Sequence, residues 1–294
     1  MYTDDLKQKA LYLVVDWSMI GTRRAEPIRH EWADSAKAHH DSAKIAKITI
    51  RNDTLNKVYA LKGTVARTIN RYGLPSSQSK RRVVPITHVP VVDAEFEHAK
   101  LQLDDLAHAL KQEWPQVLDD ARERLGDLFS ARDYPTVDEV PSLFTLTWRW
   151  LPIADTPDLL KAIAADVYEA DLERAHQEVE ADVATMRAAL RGALVSIIAS
   201  MRATLNKPDG RRRKFGKTFF RRLDQFLGMF DTKNLTGDVS MQALVSDLKR
   251  AAHGIDVELL KTDEAAQQAL DTELSRVESV LEELSDEHLR EIVM

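Results

Sequence analysis

Cysteine is absent from the 294 residues. Disulfides, thiolate nucleophiles and cysteine-ligated zinc or iron–sulfur centres are therefore excluded. Glycine and proline number only ten each, and for glycine that is about half the usual share. So few flexible positions leave little material for tight turns or phosphate-cradling loops, and they favour long helices over a sandwich or a doubly wound sheet. Long apolar runs are missing as well. The best stretches, near Leu11–Val15 and Leu194–Ala199, fall far short of the ~20 residues a membrane span needs. The N-terminus, Met1-Tyr2-Thr3-Asp4-Asp5-Leu6-Lys7, is polar and lacks the apolar core of a signal peptide. These absences lead to the expectation of a cytoplasmic protein with no membrane partner.

Catalytic signatures are also lacking. There is no Gly-x-Ser-x-Gly elbow, no complete Gly-x-x-x-x-Gly-Lys-Ser/Thr phosphate loop, no Gly-x-Gly-x-x-Gly and no His-Glu-x-x-His. The reading is of a non-enzyme with no cofactor and no metal.

What is present is an ordinary globular composition, 44% apolar and 30% charged, with a net charge of −6. That total hides two opposed segments. Between Arg202 and Arg222 nine Lys/Arg face one Asp, a local +8; between Asp256 and Met294 three face twelve Asp/Glu, a local −9.

Hydrophobic spacing supplies the elements. Leu11–Trp17 reads as a buried strand, and Phe144–Trp150 alternates Phe, Leu, Trp, Trp with Thr, Thr, Arg, so it reads as a strand with one face covered. Residues 23–53 have weak periodicity and read as a marginal helix or a loop. A helical stripe over 54–72 (Leu55, Val58, Leu61, Val65, Ile69) stops at Gly73 and Pro75. Val83–Val92, with Pro85 and Pro90, reads as extended. A helix follows from Asp93 to Trp114, with Pro115 expected to break or restart it. Past Pro157 apolar residues step by three and four through Leu172, Val179, Val183, Met186, Leu190, Leu194, Ile197 and Met201. The basic segment continues as an amphipathic helix with Phe215, Phe219, Leu223, Phe226 and Phe230 on one stripe. A last helix repeats Leu270, Leu274, Val277, Leu281 and Leu284 at heptad spacing. The expected fold is mainly α (α+β): long helices and a helical-bundle, coiled-coil-like C-terminal half, with a small sheet in the N-terminal half. The expected division is 1–153 and 154–294.

The candidate binding residues are Arg211, Arg212, Arg213, Lys214, Lys217, Arg221 and Arg222. Three readings are open: solvated cations on a core helix, a surface for a protein partner or for the chain's own acidic tail, and phosphate contacts with nucleic acid while the rings stack on bases. Lys80-Arg81-Arg82 reads as a solvated loop. Glu-x-x-His occurs at Glu95–His98 and Glu173–His176, the spacing that di-iron bundles use, but two matches are ordinary in a Glu-rich chain with nine His. The terminal seam, rich in flanking Glu, suits packing within the chain or on a basic partner better than self-pairing, and oligomerisation stays open.

Several segments together resemble a domain-of-unknown-function family carried by tailed phages, plasmids and other mobile elements. They are Val15-Asp16-Trp17-Ser18 with Arg23-Arg24, Ile69–Pro75, Ala121–Phe129 through Asp133-Tyr134-Pro135 to Phe144–Pro152, and Asn234-Leu235-Thr236-Gly237-Asp238. The resemblance assigns no residue a role. Its members' genes often lie beside a MoxR-type AAA+ ATPase and a von Willebrand factor A-type protein, which implies an accessory role in an ATP-driven assembly in a bacterial host cell. The resulting expectation is a non-enzymatic helical adaptor of phage or mobile-element origin that acts through protein contacts. The alternative is a nucleic-acid-binding protein using the basic helix.

Overall fold

The computed structural model describes residues 2–27, 44–153, 165–206, 217–253, 260 and 263–293. In chain order the elements are α1 (Tyr2–Lys9), β1 (Ala10–Ser18), β2 (Arg23–Pro27), β3 (Lys44–Ile48), α2 (Asp53–Tyr72), β4 (Leu74–Pro75), β5 (Arg81–Pro85), α3 (Val89–Leu125), β6 (Thr145–Leu151), α4 (Ala165–Leu205), α5 (Lys217–Lys233), α6 (Val239–His253) and α7 (Glu264–Val293). The fold is mainly α, with a small sheet in the N-terminal half and a helical bundle in the C-terminal half. Four strands hydrogen-bond in the order β4–β5–β1–β6, with β4 and β5 antiparallel, and β2 and β3 form a separate antiparallel pair. The two strands read from the sequence and the start of the extended Val83–Val92 segment are thus neighbours in one sheet.

Two compact units arise, neither contiguous in sequence. One comprises residues 1–13, 73–87 and 150–294; the other comprises 14–72 and 88–149. The helical unit takes in α1, the start of β1 and the β4–β5 hairpin.

In the second unit α2 packs on α3. Asn52 caps α2 by accepting from the Leu55 amide at 2.9 Å. Glu113 of α3 then accepts from both Asn52 Nδ2 (2.8 Å) and Thr54 Oγ1 (2.9 Å). Val58, Leu61 and Val65 of α2 and Phe96, Leu103 and Leu110 of α3 are all buried. Three expectations are corrected here. Pro115 does not interrupt the helix, since α3 runs 37 residues through it. An internal proline costs about 3 kcal/mol, and the neighbouring Trp114, fully buried with its Nε1 donating to the Pro135 carbonyl at 3.1 Å, holds the turn in place. Nor is Val83–Val92 extended throughout. Pro90 sits in the first turn of α3, where a missing N–H leaves no bond unmade. Residues 23–27 and 44–48 are strands rather than helix or loop; residues 28–43 lie outside the described set.

The segment from Ala121 to Pro135 explains the β2–β3 pair. Gly126 takes φ +49° to end α3. Arg124 donates to the carbonyls of Ile48 (2.6 Å) and Thr49 (3.0 Å), and Tyr134 Oη donates to Thr49 O at 3.0 Å. Buried Lys47 pairs with Asp133 at 2.7 Å and donates to Leu128 O. Short polar strands with little apolar patterning are therefore fixed by contacts at least 75 residues away in sequence.

In the helical unit α4 is the axis. It buries Val179, Met186, Leu190, Leu194, Ile198, Met201 and Leu205 against Leu223, Leu227 and Phe230 of α5, Met241, Leu244 and Leu248 of α6, and Leu270, Leu274, Val277 and Leu281 of α7. The terminal heptad residues thus face α4 of the same chain. Asn234-Leu235-Thr236-Gly237-Asp238 is the α5–α6 corner. Gly237 has φ +58°, Asn234 Oδ1 accepts from the Asp238 amide (2.9 Å), and Asp238 caps α6 through the Met241 amide (3.0 Å). By length and composition Val167–Leu205 would be apolar enough to cross a membrane; one side of that helix is the bundle core just described.

Candidate interaction sites on the helical unit

Of the candidate cations, Arg211, Arg212, Arg213 and Lys214 lie outside the described residues. Lys217 is the first residue of α5. Arg221 and Arg222 stand exposed in its second turn, because the turn's inward positions are taken by Phe220 and Leu223. The phenylalanine stripe is correspondingly rotated: Phe220, Leu223, Leu227 and Phe230 are buried, while Phe219 and Phe226 are half-buried. Arg221 and Arg222 border a cavity of about 340 Å³ between α4 and α5, together with Ile197, Ser200, Met201, Thr204 and Phe219. Neither arginine makes an ion pair or hydrogen bond among the described residues.

Other arginines among the described bundle residues are engaged. Arg202 pairs with Asp271 (3.1 Å) and Glu278 on α7, and these two carboxylates hold its guanidinium above the ordinary range. Arg191 binds Asp238 at 2.8 Å and the Leu284 carbonyl at 2.6 Å, in a setting where both side chains are largely buried. Two cations of α4 therefore meet the acidic α7 and the α5–α6 corner directly. Arg81 also departs from the expected solvated loop. It lies in β5, over the Tyr12 ring at 4.5 Å, and pairs with Glu178 at 2.8 Å.

The densest polar cluster is one that sequence reasoning missed. Asp182 is fully buried on α4. Its Oδ2 accepts from Tyr12 Oη at 2.6 Å; its Oδ1 accepts from Ser76 Oγ (2.9 Å), the Ser77 amide (2.6 Å) and Ser77 Oγ (2.5 Å). Burial, reinforced by the bond to Asp182, pushes the Tyr12 phenol well above its ordinary value. The cluster ties β1 and the β4–β5 loop to α4. A signal was available, since position 182 falls on the buried arc between Val179 and Met186, where a carboxylate requires donors.

A second cavity, of about 300 Å³, has walls of Phe220, Leu223, Leu248, Leu270, Leu274 and Val277 and a rim formed by the Asp247–Arg250 and Glu273–Arg276 pairs. Neither Glu-x-x-His pair shares a bond between its own two members: Glu95 accepts from Thr68 Oγ1 of α2 at 2.5 Å, His98 lies 3.1 Å from Gln102, and Glu173 accepts from Gln177. Among the described residues no group of three or more His, Asp or Glu is placed to hold a metal ion.

Comparison with protein-family models, curated proteins and solved structures finds no match.

Proposed function

We propose that the protein is a non-enzymatic helical accessory protein of phage or mobile-element origin that works through protein–protein contacts, with a MoxR-type AAA+ ATPase as partner. The observation that carries this reading is the outward arc of α4. Ala181, Ala188, Gly192, Ser196, Ala199 and Ala203 are all exposed, and at about 100° per residue they fall on one stripe. A solvated helix face ordinarily carries charged side chains. This stripe has none between residues 181 and 203, and nothing larger than serine among those six. A partner helix can approach such a face closely, and removing it from water carries no charge-desolvation cost. The family resemblance supplies the identity of the partner, and the near-neutral surface of α4 suits a macromolecule that is not itself strongly charged.

The test is co-purification of the full chain with the ATPase, repeated with Ala188→Glu and Ala199→Glu. The wild type should form a complex that the exposed glutamates abolish while helix content stays the same. A complex indifferent to both substitutions would refute docking on this arc. No complex with the wild type would refute the partner.

Nucleic-acid binding through the basic helix is a second reading, favoured by one observation: Arg221 and Arg222 are exposed and have no partner among the described residues.

A further inference from the structure

We propose that the cavity between α4, α5, α6 and α7 is a binding site for one small, uncharged, apolar molecule. It takes its α4 wall from buried Met201, so it is independent of the exposed arc of that helix.

Each of the four helices supplies part of the wall. Met201 of α4, Phe220 of α5, Leu248 of α6 and Leu274 of α7 all line the space, and none is more than 9% exposed. Side chains so buried ordinarily fill the room between their helices, because protein interiors leave few voids larger than a water molecule. Here they border about 300 Å³. An apolar cavity of roughly 150 Å³ takes up benzene, so by proportion this one holds about twelve non-hydrogen atoms. Ligand pockets start near that volume, at roughly 300 Å³, and often lie between the helices of bundles. Phe220 packs edge-on against Phe219 and still lines the cavity, from which Phe219 is absent.

The lining fixes the class of ligand. Its buried side chains are aliphatic, aromatic or thioether, so none of them can bond to a polar group. An ordered water fares no better, since it needs several polar partners. The polar lining residues are Asp247 and Arg250 on α6 and Glu273 and Arg276 on α7, and all four reach solvent. They pair within their own helices, Arg250 with Asp247 at 3.3 Å and Arg276 with Glu273 at 3.1 Å. The rim is therefore neutral in sum, and offers a charged ligand no net attraction to offset the water it would lose. A docking protein helix is disfavoured for a related reason. It would strip water from four charged side chains, and interface cores are depleted in charge. Met201 adds a polarizable thioether that suits the edge of an aromatic ring, so a flat aromatic skeleton matches these walls best.

The experiment is calorimetric titration of the full chain with naphthalene, and with naphthoate as its charged counterpart. One naphthalene should bind per chain, and naphthoate should bind more weakly by about tenfold or more. Leu248→Phe and Leu270→Phe each add bulk to a wall, and each should lower naphthalene affinity by about tenfold or more. The melting temperature, raised by naphthalene in the wild type, should respond little in either variant. Circular dichroism checks that the variants fold. If both unfold, nuclear Overhauser contacts from naphthalene to the Leu270, Leu274 and Val277 methyls of the wild type decide the location. Contacts to other methyls instead, or undiminished binding by a folded phenylalanine variant, overturn the site. Naphthoate binding as tightly as naphthalene overturns the uncharged class, and no naphthalene uptake by the wild type overturns the proposal as a whole.

Discussion

Replacing Asp182 with alanine tests the account of how the helical unit is closed. The carboxylate accepts four hydrogen bonds, two from the buried hydroxyls of Tyr12 and Ser76 and two from Ser77. Ser77 is exposed, so its amide and hydroxyl can turn to water once the acceptor is gone. The Tyr12 and Ser76 hydroxyls have less access to it. Each stranded buried donor costs about 1–3 kcal/mol, which puts the loss at about 2–6 kcal/mol. Water entering the space vacated by the carboxylate, together with the better helix propensity of alanine, worth about 0.5 kcal/mol, brings the expectation to about 3 kcal/mol. With an m-value of about 3 kcal/mol/M, urea unfolding followed by far-ultraviolet circular dichroism should show the midpoint lowered by about 1 M. Asp182→Asn keeps the volume and one acceptor, and Tyr12 Oη can rotate to accept from the new amide, so its loss should stay near ~1 kcal/mol. A loss below about 1 kcal/mol for alanine, or asparagine worse than alanine, would show that the four bonds do not hold the strands to α4.

The same cluster has an alkaline signature. The Tyr12 phenol is raised above its ordinary value in the folded state, so the unfolded chain loses that proton first, near pH ~10. The associated stability is complete below that pH and declines as pH rises further. Tyr12→Phe should flatten this decline relative to wild type in parallel urea titrations; identical slopes would contradict it. At the α4–α7 seam, Leu274→Ala removes a side chain only 2% exposed and should cost about 2–5 kcal/mol. Changing the exposed neighbour Glu273 to Ala should stay within about 0.5 kcal/mol, and comparable effects from the two would deny that the heptad face is the buried one.

Much of this architecture was legible because periodicity is local. The stripe at Leu55, Val58, Leu61 and Val65, the alternation from Phe144 to Trp150 and the heptads from Leu270 to Leu281 each report which side of an element faces the interior, and each does so in the structure. What failed to show was fixed at a distance. β2 and β3 carry little apolar signal of their own and are secured by Arg124, Asp133 and Tyr134. Pro115 looked like a stop because the contact that outweighs it, Trp114 with Pro135, is not between neighbours.

The candidate sites divide along the same line. Charge segregation located Arg221 and Arg222, since net charge along a chain can be counted. Which cations are already neutralised cannot be counted that way: Arg202 and Arg191 are tied to α7 and the α5–α6 corner only because the bundle brings residues 47 to 93 positions apart into contact. Asp182 likewise could be seen to lie on a buried arc, but its donors come from residues about 100 and 170 positions away. By itself the sequence determined the class of fold, the helical bundle and the inward faces, because burial recurs with the pitch of each helix and strand. Only the tertiary structure decided which charges are used up in holding that bundle together and which are left facing outward, because pairing between ions depends on distance in space and leaves no period in the chain.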